Sequence, residues 1–486
     1  MARTMLDLRP VGYVIGLLSF VLGATMCVPM VADLVYETEH WDAFGQSAVI
    51  TCLTGGFVAL ACSSGVGGKL SLQQTFLVAT GVWVILPLFG ALPFVFGATE
   101  ARAVDAVFEA MSGLTTTGST VFVGLEHLPQ GLLLWRSMLQ WFGGVGIIIV
   151  AMVFLPELRV GGMQIFRSEA FDTGGKILPR AAQIAARIMV VYVLLTVACA
   201  VSYVLVGMSG FEAVNHGLTT MSTGGFSTSD ASFGAYQGAP EYVASFYMVS
   251  ASLPFVLYVQ IISGSVRPLM KDTQVRAFLK TVAVLVAVIA LYRVIANGDH
   301  AEHAFREAVF NVTSIITGTG YASVDYQLWG AFPLVLFFFI GLIGGCAGST
   351  CCSVKIFRYQ LLIASVVVQI KKLHTPTGVF KARYQGQSVT EEVMSSVMAF
   401  FGVFVVSLGI TSVLLGFTGL DFVTSVSGAA TAIANIGPGL GEMIGPSGNF
   451  APVNDTAKWI LTVAMLLGRL ELLVVLVLLL PRFWRA

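Results

Sequence analysis

The sequence predicts an all-α polytopic membrane protein: four tandem repeats of span, half-helix, loop and span about a pseudo-fourfold axis, preceded by two extra N-terminal transmembrane helices. Three observations predict it: an apolar composition, stretches of membrane-crossing length along the whole chain, and a short glycine-terminated motif that occurs four times. Of 486 residues, 56% are hydrophobic and 11% are charged, against about 25% charged in an average soluble domain. That excludes a soluble protein. A helix needs roughly 20 residues to cross a hydrocarbon core. Stretches of that kind lie near 11–32, 44–64, 72–97, 131–155, 182–207, 240–265, 275–296, 330–362, 391–417 and 456–480. The first follows Arg3 and Arg9 as the core of a secretory signal would, but it is too long and has no A-x-A cleavage site, so it is expected to remain as an anchor helix.

The net charge is zero, and the placement of the charges says more. With ten crossings and both termini cytoplasmic, the inner loops receive most of the basic residues, among them Arg159, Arg167, Lys176, Arg180, Arg267, Lys271, Lys371, Lys372, Lys381 and Arg383. The first outer loop holds Asp33, Glu37, Glu39 and Asp42 and no Lys or Arg. The positive-inside rule favours this orientation. The seven cysteines (Cys27, Cys52, Cys62, Cys199, Cys346, Cys351 and Cys352) are odd in number and lack zinc- or haem-type spacing. Neither disulfides nor a metal site is expected from them.

Four segments share one design. They read DAVFEAMSGLTTTGST (105–120), GFEAVNHGLTTMSTGGFST (210–228), AFREAVFNVTSIITGTGYAS (304–323) and DFVTSVSGAATAIANIGPGLG (421–441). Each is a moderately apolar stretch too short to cross, runs into Thr, Ser or Asn, and ends at glycine between two full spans. Gly118, Gly225, Gly320 and Gly437 are then equivalent, at intervals of 107, 95 and 117 residues. The implied divisions are a two-helix region (1–68) and repeats at 69–160, 161–270, 271–375 and 376–486.

Backbone that leaves the helix at membrane depth must be shielded by protein or line water, because an unpaired carbonyl in lipid costs several kcal/mol. Four such turns are therefore expected to face one common cavity, a pore. Glycine permits conformations that turn successive carbonyl oxygens toward the axis, where they can replace the water shell of a dehydrated cation. Each half-helix aims its negative dipole end at the same region. A single such glycine would read better as a helix-packing residue; four at near-regular spacing favour the pore. A substrate carrier with inverted repeats would be the reading from another class, but these repeats all run the same way. No Ser/His, paired-Asp or H-E-x-x-H constellation lies in the spans, so an ion transporter or channel is expected rather than an enzyme.

The motifs TTTGST, MSTGGFST, ITGTGYAS and ANIGPG resemble the four filter loops of the TrkH/TrkG/KtrB superfamily of K⁺ transporters, and the two extra N-terminal spans resemble its Trk branch. The resemblance covers essentially the whole chain. It implies K⁺ as the transported ion, with filter backbone from Thr116, Thr117 and Gly118; Thr223, Gly224 and Gly225; Gly318, Thr319 and Gly320; and Asn435, Ile436 and Gly437. A serine at the first filter glycine is associated with Na⁺ permeation in this superfamily, and Gly118 stands there instead. The resemblance also implies a homodimer with one pore per protomer in the bacterial inner membrane, and a separate cytoplasmic nucleotide-binding ring of the TrkA type. The chain has no G-x-x-x-x-G-K-[ST] and no strand-linked G-x-G-x-x-G, so ATP, ADP or NAD would belong to that partner. The basic stretch 371–387, with 157–180, is its expected docking surface, and no nucleic-acid partner is expected.

The eighth span is interrupted by GLIGGCAGSTCCSVK (341–355), poor material for a continuous helix. A break below the filter is expected to act as a gate (Gly344, Gly345, Cys346, Ala347, Gly348, Ser349 and Thr350), as the family's intramembrane loop in the third repeat implies; a kinked packing helix is the alternative. The family tends to glycine after the GST, where this chain has Cys351, Cys352 and Ser353. Arg469 lies near the middle of the last apolar stretch, where burial costs about 2.5–3.5 kcal/mol. The resemblance implies that it reaches into the pore as an electrostatic barrier. An ion pair with a neighbour's Glu471, or with Glu109, Glu212 or Glu307, is the alternative. Those three glutamates are otherwise expected to cap the half-helices, and His216 and Asn311 to hold neighbouring helices by hydrogen bonds.

Overall fold

The computed structural model describes residues 6–65, 70–151, 161–163 and 177–485. Among these, seven helices are long and apolar enough to cross a membrane: Arg9–Val35, Trp41–Ala61, Leu72–Phe96, Gln130–Ile149, Ala185–Leu205, Thr273–Asn297 and Glu391–Phe417. The expected sixth, eighth and tenth spans are broken. The sixth runs as Ala239–Ala251 and Phe255–Ile262, bent by 92°. Pro254 explains the bend, since it lacks an N–H and forces the preceding residue out of helical geometry. The eighth is interrupted as expected, between Ala331–Gly341 and Ile356–His374. The tenth stops at Arg469, where Glu471 and Leu472 both take positive φ, and resumes only as the short helix Leu473–Leu478. The expectation of a continuous last span with Arg469 at its centre is corrected by this break.

The first two spans cross at backbone contact. A Cβ on Gly16 would meet Ala59 N and Gly55 O, and one on Gly55 would meet Phe20 N, so the pair packs through small residues as membrane helices do. This pair is joined to the first repeat by Asp33, which is fully buried: its Oδ1 accepts from Gly131 N (2.7 Å) and its Oδ2 lies 3.2 Å from His40 Nδ1. The opposite nitrogen of His40 accepts from Ala98 N (2.5 Å), so Nδ1 carries the proton toward Asp33.

Four half-helices, Ala103–Leu114, Gly210–Met221, Ala301–Ile316 and Phe422–Ala434, lie between successive spans. Their 12 to 16 residues reach about 18–24 Å, short of the roughly 30 Å hydrocarbon core. Ser209 and Glu212 form a capping box on the second, and Asp421 caps the fourth by accepting from Thr424 N (3.1 Å). The far ends of all four are buried at the centre of the molecule.

Candidate filter and the loop beneath it

Each half-helix ends in the same way. Thr117 N donates to Ser112 O (2.8 Å), Gly224 N to Thr219 O (2.9 Å), Thr319 N to Ser314 O (2.9 Å) and Ile436 N to Thr431 O (3.0 Å). These are six-to-one bonds of the Schellman type, which need a left-handed residue just before the donor. That residue is Thr116 (φ 51°), Thr223 (52°), Gly318 (73°) or Asn435 (52°). After the donor comes a glycine, again at positive φ: Gly118 (89°), Gly225 (77°), Gly320 (82°) or Gly437 (112°). Alternation of left-handed with ordinary conformations turns successive carbonyls toward one side of the chain, the arrangement a cation-coordinating loop requires.

The four turns close into a ring. A Cβ on Gly118 would collide with the carbonyl oxygen of Gly224, one on Gly225 with that of Thr319, one on Gly320 with that of Ile436, and one on Gly437 would lie 2.9 Å from that of Thr117. Each repeat's glycine thus abuts the preceding residue's carbonyl in the next repeat, and the fourth returns to the first. Ser119 Oγ donates to Gly437 O (2.8 Å) and Asn435 Nδ2 to Thr117 Oγ1 (2.9 Å) across the seam between fourth and first. On one side, all four glycines line a cavity of about 200 Å³ whose wall includes Arg136, Phe226 and Asp230.

Behind each turn a side chain of the half-helix holds the returning segment. Glu109 Oε2 accepts from Val121 N (2.9 Å), Asn311 Oδ1 from Ser323 N (3.2 Å) and Ser427 Oγ from Leu440 N (2.9 Å). In each case the donor stands three residues after the glycine. In the second repeat His216 Nε2 lies 3.1 Å from Ser227 Oγ. The expected roles are therefore corrected: His216 and Asn311 hold the returning chain rather than a neighbouring helix, and of the three glutamates only Glu212 caps. Glu109 pairs with Arg136 (2.8 Å), and Glu307 with Arg293 (2.5 Å) and His303 (2.7 Å). Sequence reasoning missed Arg136, whose Nη1 also donates to Ser227 O (2.9 Å), and Gln140, which donates to Gly224 O (2.6 Å) and accepts from Phe226 N (3.0 Å). An Arg and a Gln inside the apolar stretch 131–155 were the available signal, since intramembrane polar side chains mark functional interiors.

On the other side of the ring lies the interruption of the eighth span. Thr350 Oγ1 is 3.2 Å from Thr223 Oγ1, Cys352 Sγ is 3.9 Å from Thr116 Oγ1, and a Cβ on Gly318 would lie 3.9 Å from Cys352 N. Three of the four turns thus touch this loop. Its backbone is held by the bent sixth span: Cys346 N donates to Ser252 O (3.0 Å), Thr350 N to Ala251 O (3.3 Å), and Phe255 N to Gly348 O (3.0 Å). Gly344, Gly345, Ala347 and Ser349 belong to the same segment, with Ala347 N bound to Gln274 Oε1 (3.0 Å) and Ser349 Oγ to Cys346 O (2.6 Å). From the fourth repeat Arg469, 2% exposed, donates to Thr350 O (3.4 Å) and Gly143 O (3.0 Å) and contacts Cys352 Sγ. Its Nε has no hydrogen-bond partner, and none of the carboxylates considered for it is among its partners. Glu471 instead binds Lys355 (3.1 Å) and Arg358 within the same chain. The stretch 371–387 runs from the end of Ile356–His374 into a two-stranded hairpin, Arg383–Tyr384 with Gln387–Ser388; most of 157–180 lies outside the described residues.

Residues 42–485 match the family model TrkH, described as cation transport protein. The chain belongs to the TrkH family. It is 42% identical over 478 residues to the Trk system potassium uptake protein TrkI of Halomonas elongata, covering 98% of this chain and 97% of that one. It is 35% identical to the same organism's Trk system potassium uptake protein TrkH, over 99% and 100% of the two chains. The crystal structure of the potassium transporter TrkH from Vibrio parahaemolyticus superposes with a TM-score of 0.91 at 34% identity, over 99% and 100% of the two chains. The fold is that of the family, and the chain is a multi-pass membrane transporter of the Trk type, not an enzyme.

Proposed function

We propose that the chain carries K⁺ into the cell across a bacterial inner membrane, through a filter made by Thr116 to Gly118, Thr223 to Gly225, Gly318 to Gly320 and Asn435 to Gly437. The observation that carries this reading is the closed cycle of glycine against carbonyl, which gathers backbone oxygens from four repeats around one axis without any carboxylate among them. Carbonyl rings suit a monovalent cation stripped of its water, and the family relatives are named potassium uptake proteins. The residues Gly344 to Thr350, with Arg469, form the gate in this reading: they lie against the ring, and a buried guanidinium in a cation path opposes passage electrostatically. Both termini are cytoplasmic, the repeats divide at about residues 68, 160, 270 and 375, and the protein works as a homodimer beneath which a TrkA-type ring binds ATP, ADP or NAD.

The test is uptake of K⁺ and Na⁺ into liposomes holding the purified chain, beside a Gly118→Ser variant. A side chain at 118 would displace the Gly224 carbonyl, so K⁺-selective uptake that relaxes toward Na⁺ is expected. If neither ion moves, with or without a nucleotide-bound partner, the proposal fails.

A further inference from the structure

Between the first, third, fourth and fifth spans the molecule holds a second cavity, of about 460 Å³, whose lining is apolar apart from the Thr25 hydroxyl and the indole N–H groups of Trp83 and Trp141. The Thr25 hydroxyl is committed to Leu22 O (2.7 Å). Trp141 Nε1 donates to Thr196 Oγ1 (3.1 Å). A buried water needs two to four polar partners, and the few that remain make this space a better fit for hydrocarbon than for water. Leu18 and Val21 stand at its edge and are 38% and 50% exposed, so the cavity is continuous with the surface that these membrane spans turn toward lipid.

Its inner wall touches the machinery under the ring. Gly143 and Trp83 both line it. The carbonyl of Gly143 accepts from Arg469 Nη2 (3.0 Å), and the Trp83 ring centroid lies 5.5 Å from the Arg469 guanidinium carbon. Leu114, the last residue of the first half-helix, completes that wall. An empty space of this size would forfeit the dispersion contacts of every lining side chain. At this depth the medium in contact with its mouth is hydrocarbon.

We propose that the cavity is a binding site for a phospholipid acyl chain, seated against the wall that carries Arg469. Its lining shares no residue with the four glycine turns, so its occupancy stands or falls independently of which cation is transported.

The full chain is reconstituted in phosphatidylcholine liposomes containing a trace of the same lipid with a diazirine near the end of one acyl chain, and the adducts are mapped after photolysis. Adducts at Val82 and Val145, which line the cavity, are expected in several-fold excess over those at Val201 and Val284, which face outward on other spans. Leu18→Trp and Val82→Trp, each filling part of the cavity, are expected to abolish the excess while labelling of Val201 and Val284 persists, which also reports that the variants are folded. Cryo-electron microscopy in brominated phosphatidylcholine supplies a second reading on the unaltered protein, with bromine density expected inside the cavity. Labelling that follows outward exposure alone and is the same in all three proteins would overturn the proposal. So would density for bound water, for a side chain or for detergent in place of the brominated chain.

Discussion

At the residue scale, the centre of the molecule depends on single side chains whose partners are fixed and few. Thr116 and Thr223 are β-branched residues in the left-handed region, a conformation that costs of order 1–3 kcal/mol and persists only where its surroundings enforce it. The enforcement is visible in the brace behind each turn, above all at Glu109, which takes hydrogen bonds from Val121 N, Thr120 Oγ1 and Arg136 Nε. Glu109→Gln leaves Arg136, 1% exposed, without its counter-charge. Breaking a buried pair from one side costs about 3–5 kcal/mol, so a marked drop in the thermal unfolding midpoint and loss of cation uptake are expected, with stability partly regained in Glu109→Gln/Arg136→Met. Equal stability of the single variant and the parent would show that the brace carries no load. The glycine turns were legible because positive φ is a local demand that leaves glycine in the sequence. The braces were not: each joins a half-helix residue to a segment that returns after the turn, and Gln140 reaches Gly224 from 84 positions away.

At the element scale, three breaks shape the space beneath the ring, and they differ in how they are written. The eighth-span break announces itself by Gly344, Gly345 and Gly348. The sixth carries Pro254, a signal present in the sequence but outweighed by the apolar run around it. The tenth has no proline or glycine after Gly468; it forms where Glu471 swings out to Lys355 and Arg358, partners 116 and 113 positions earlier, which no local pattern reveals. If the loop is the gate, replacing Gly344–Cys351 with a shorter glycine linker raises cation flux in liposomes and leaves the K⁺ to Na⁺ ratio unchanged; unaltered flux would sink that role. On the cavity side of the ring, Glu126 ties the segment after the first turn to the second repeat, accepting from Ser229 Oγ (2.6 Å) and Asp230 N (2.9 Å). The Ser229 hydrogen bond, with others, holds its carboxyl below the usual glutamate range. Its folded value is depressed, so its contribution is present above the ordinary glutamate titration and is lost as pH falls through the lowered value. The stability difference between the parent and Glu126→Gln is therefore expected to shrink on acidification, as read from unfolding midpoints at a series of pH values; a difference that grows would contradict the assignment.

At the scale of the whole molecule, four repeats in one chain leave one junction, fourth to first, with no direct covalent link. It is sewn by Arg102 to Asp455 (3.0 and 2.9 Å), Lys458 to Asp105 (2.6 Å) and Phe450 N to Thr120 O (2.8 Å). Arg102 is largely exposed, and such pairs are worth at most about 1 kcal/mol, whereas Lys458 is 2% exposed. Arg102→Ala is therefore expected to leave the unfolding midpoint nearly unchanged, and Asp105→Ala to lower it clearly; the reverse order would show that the outer pair closes the ring. The bent sixth span and the interrupted eighth also bear on how the protein is made. The carbonyls of Ala251 and Ser252, freed by one break, are met by the N–H groups of Thr350 and Cys346, freed by the other. A nascent chain that has emerged only through its second repeat has no partner for those carbonyls in the bilayer, so the sixth span cannot reach its final shape until about a hundred further residues have been synthesised. Membrane insertion of this chain is then not a sequence of finished helices but a delayed closure, in which the third repeat completes the second.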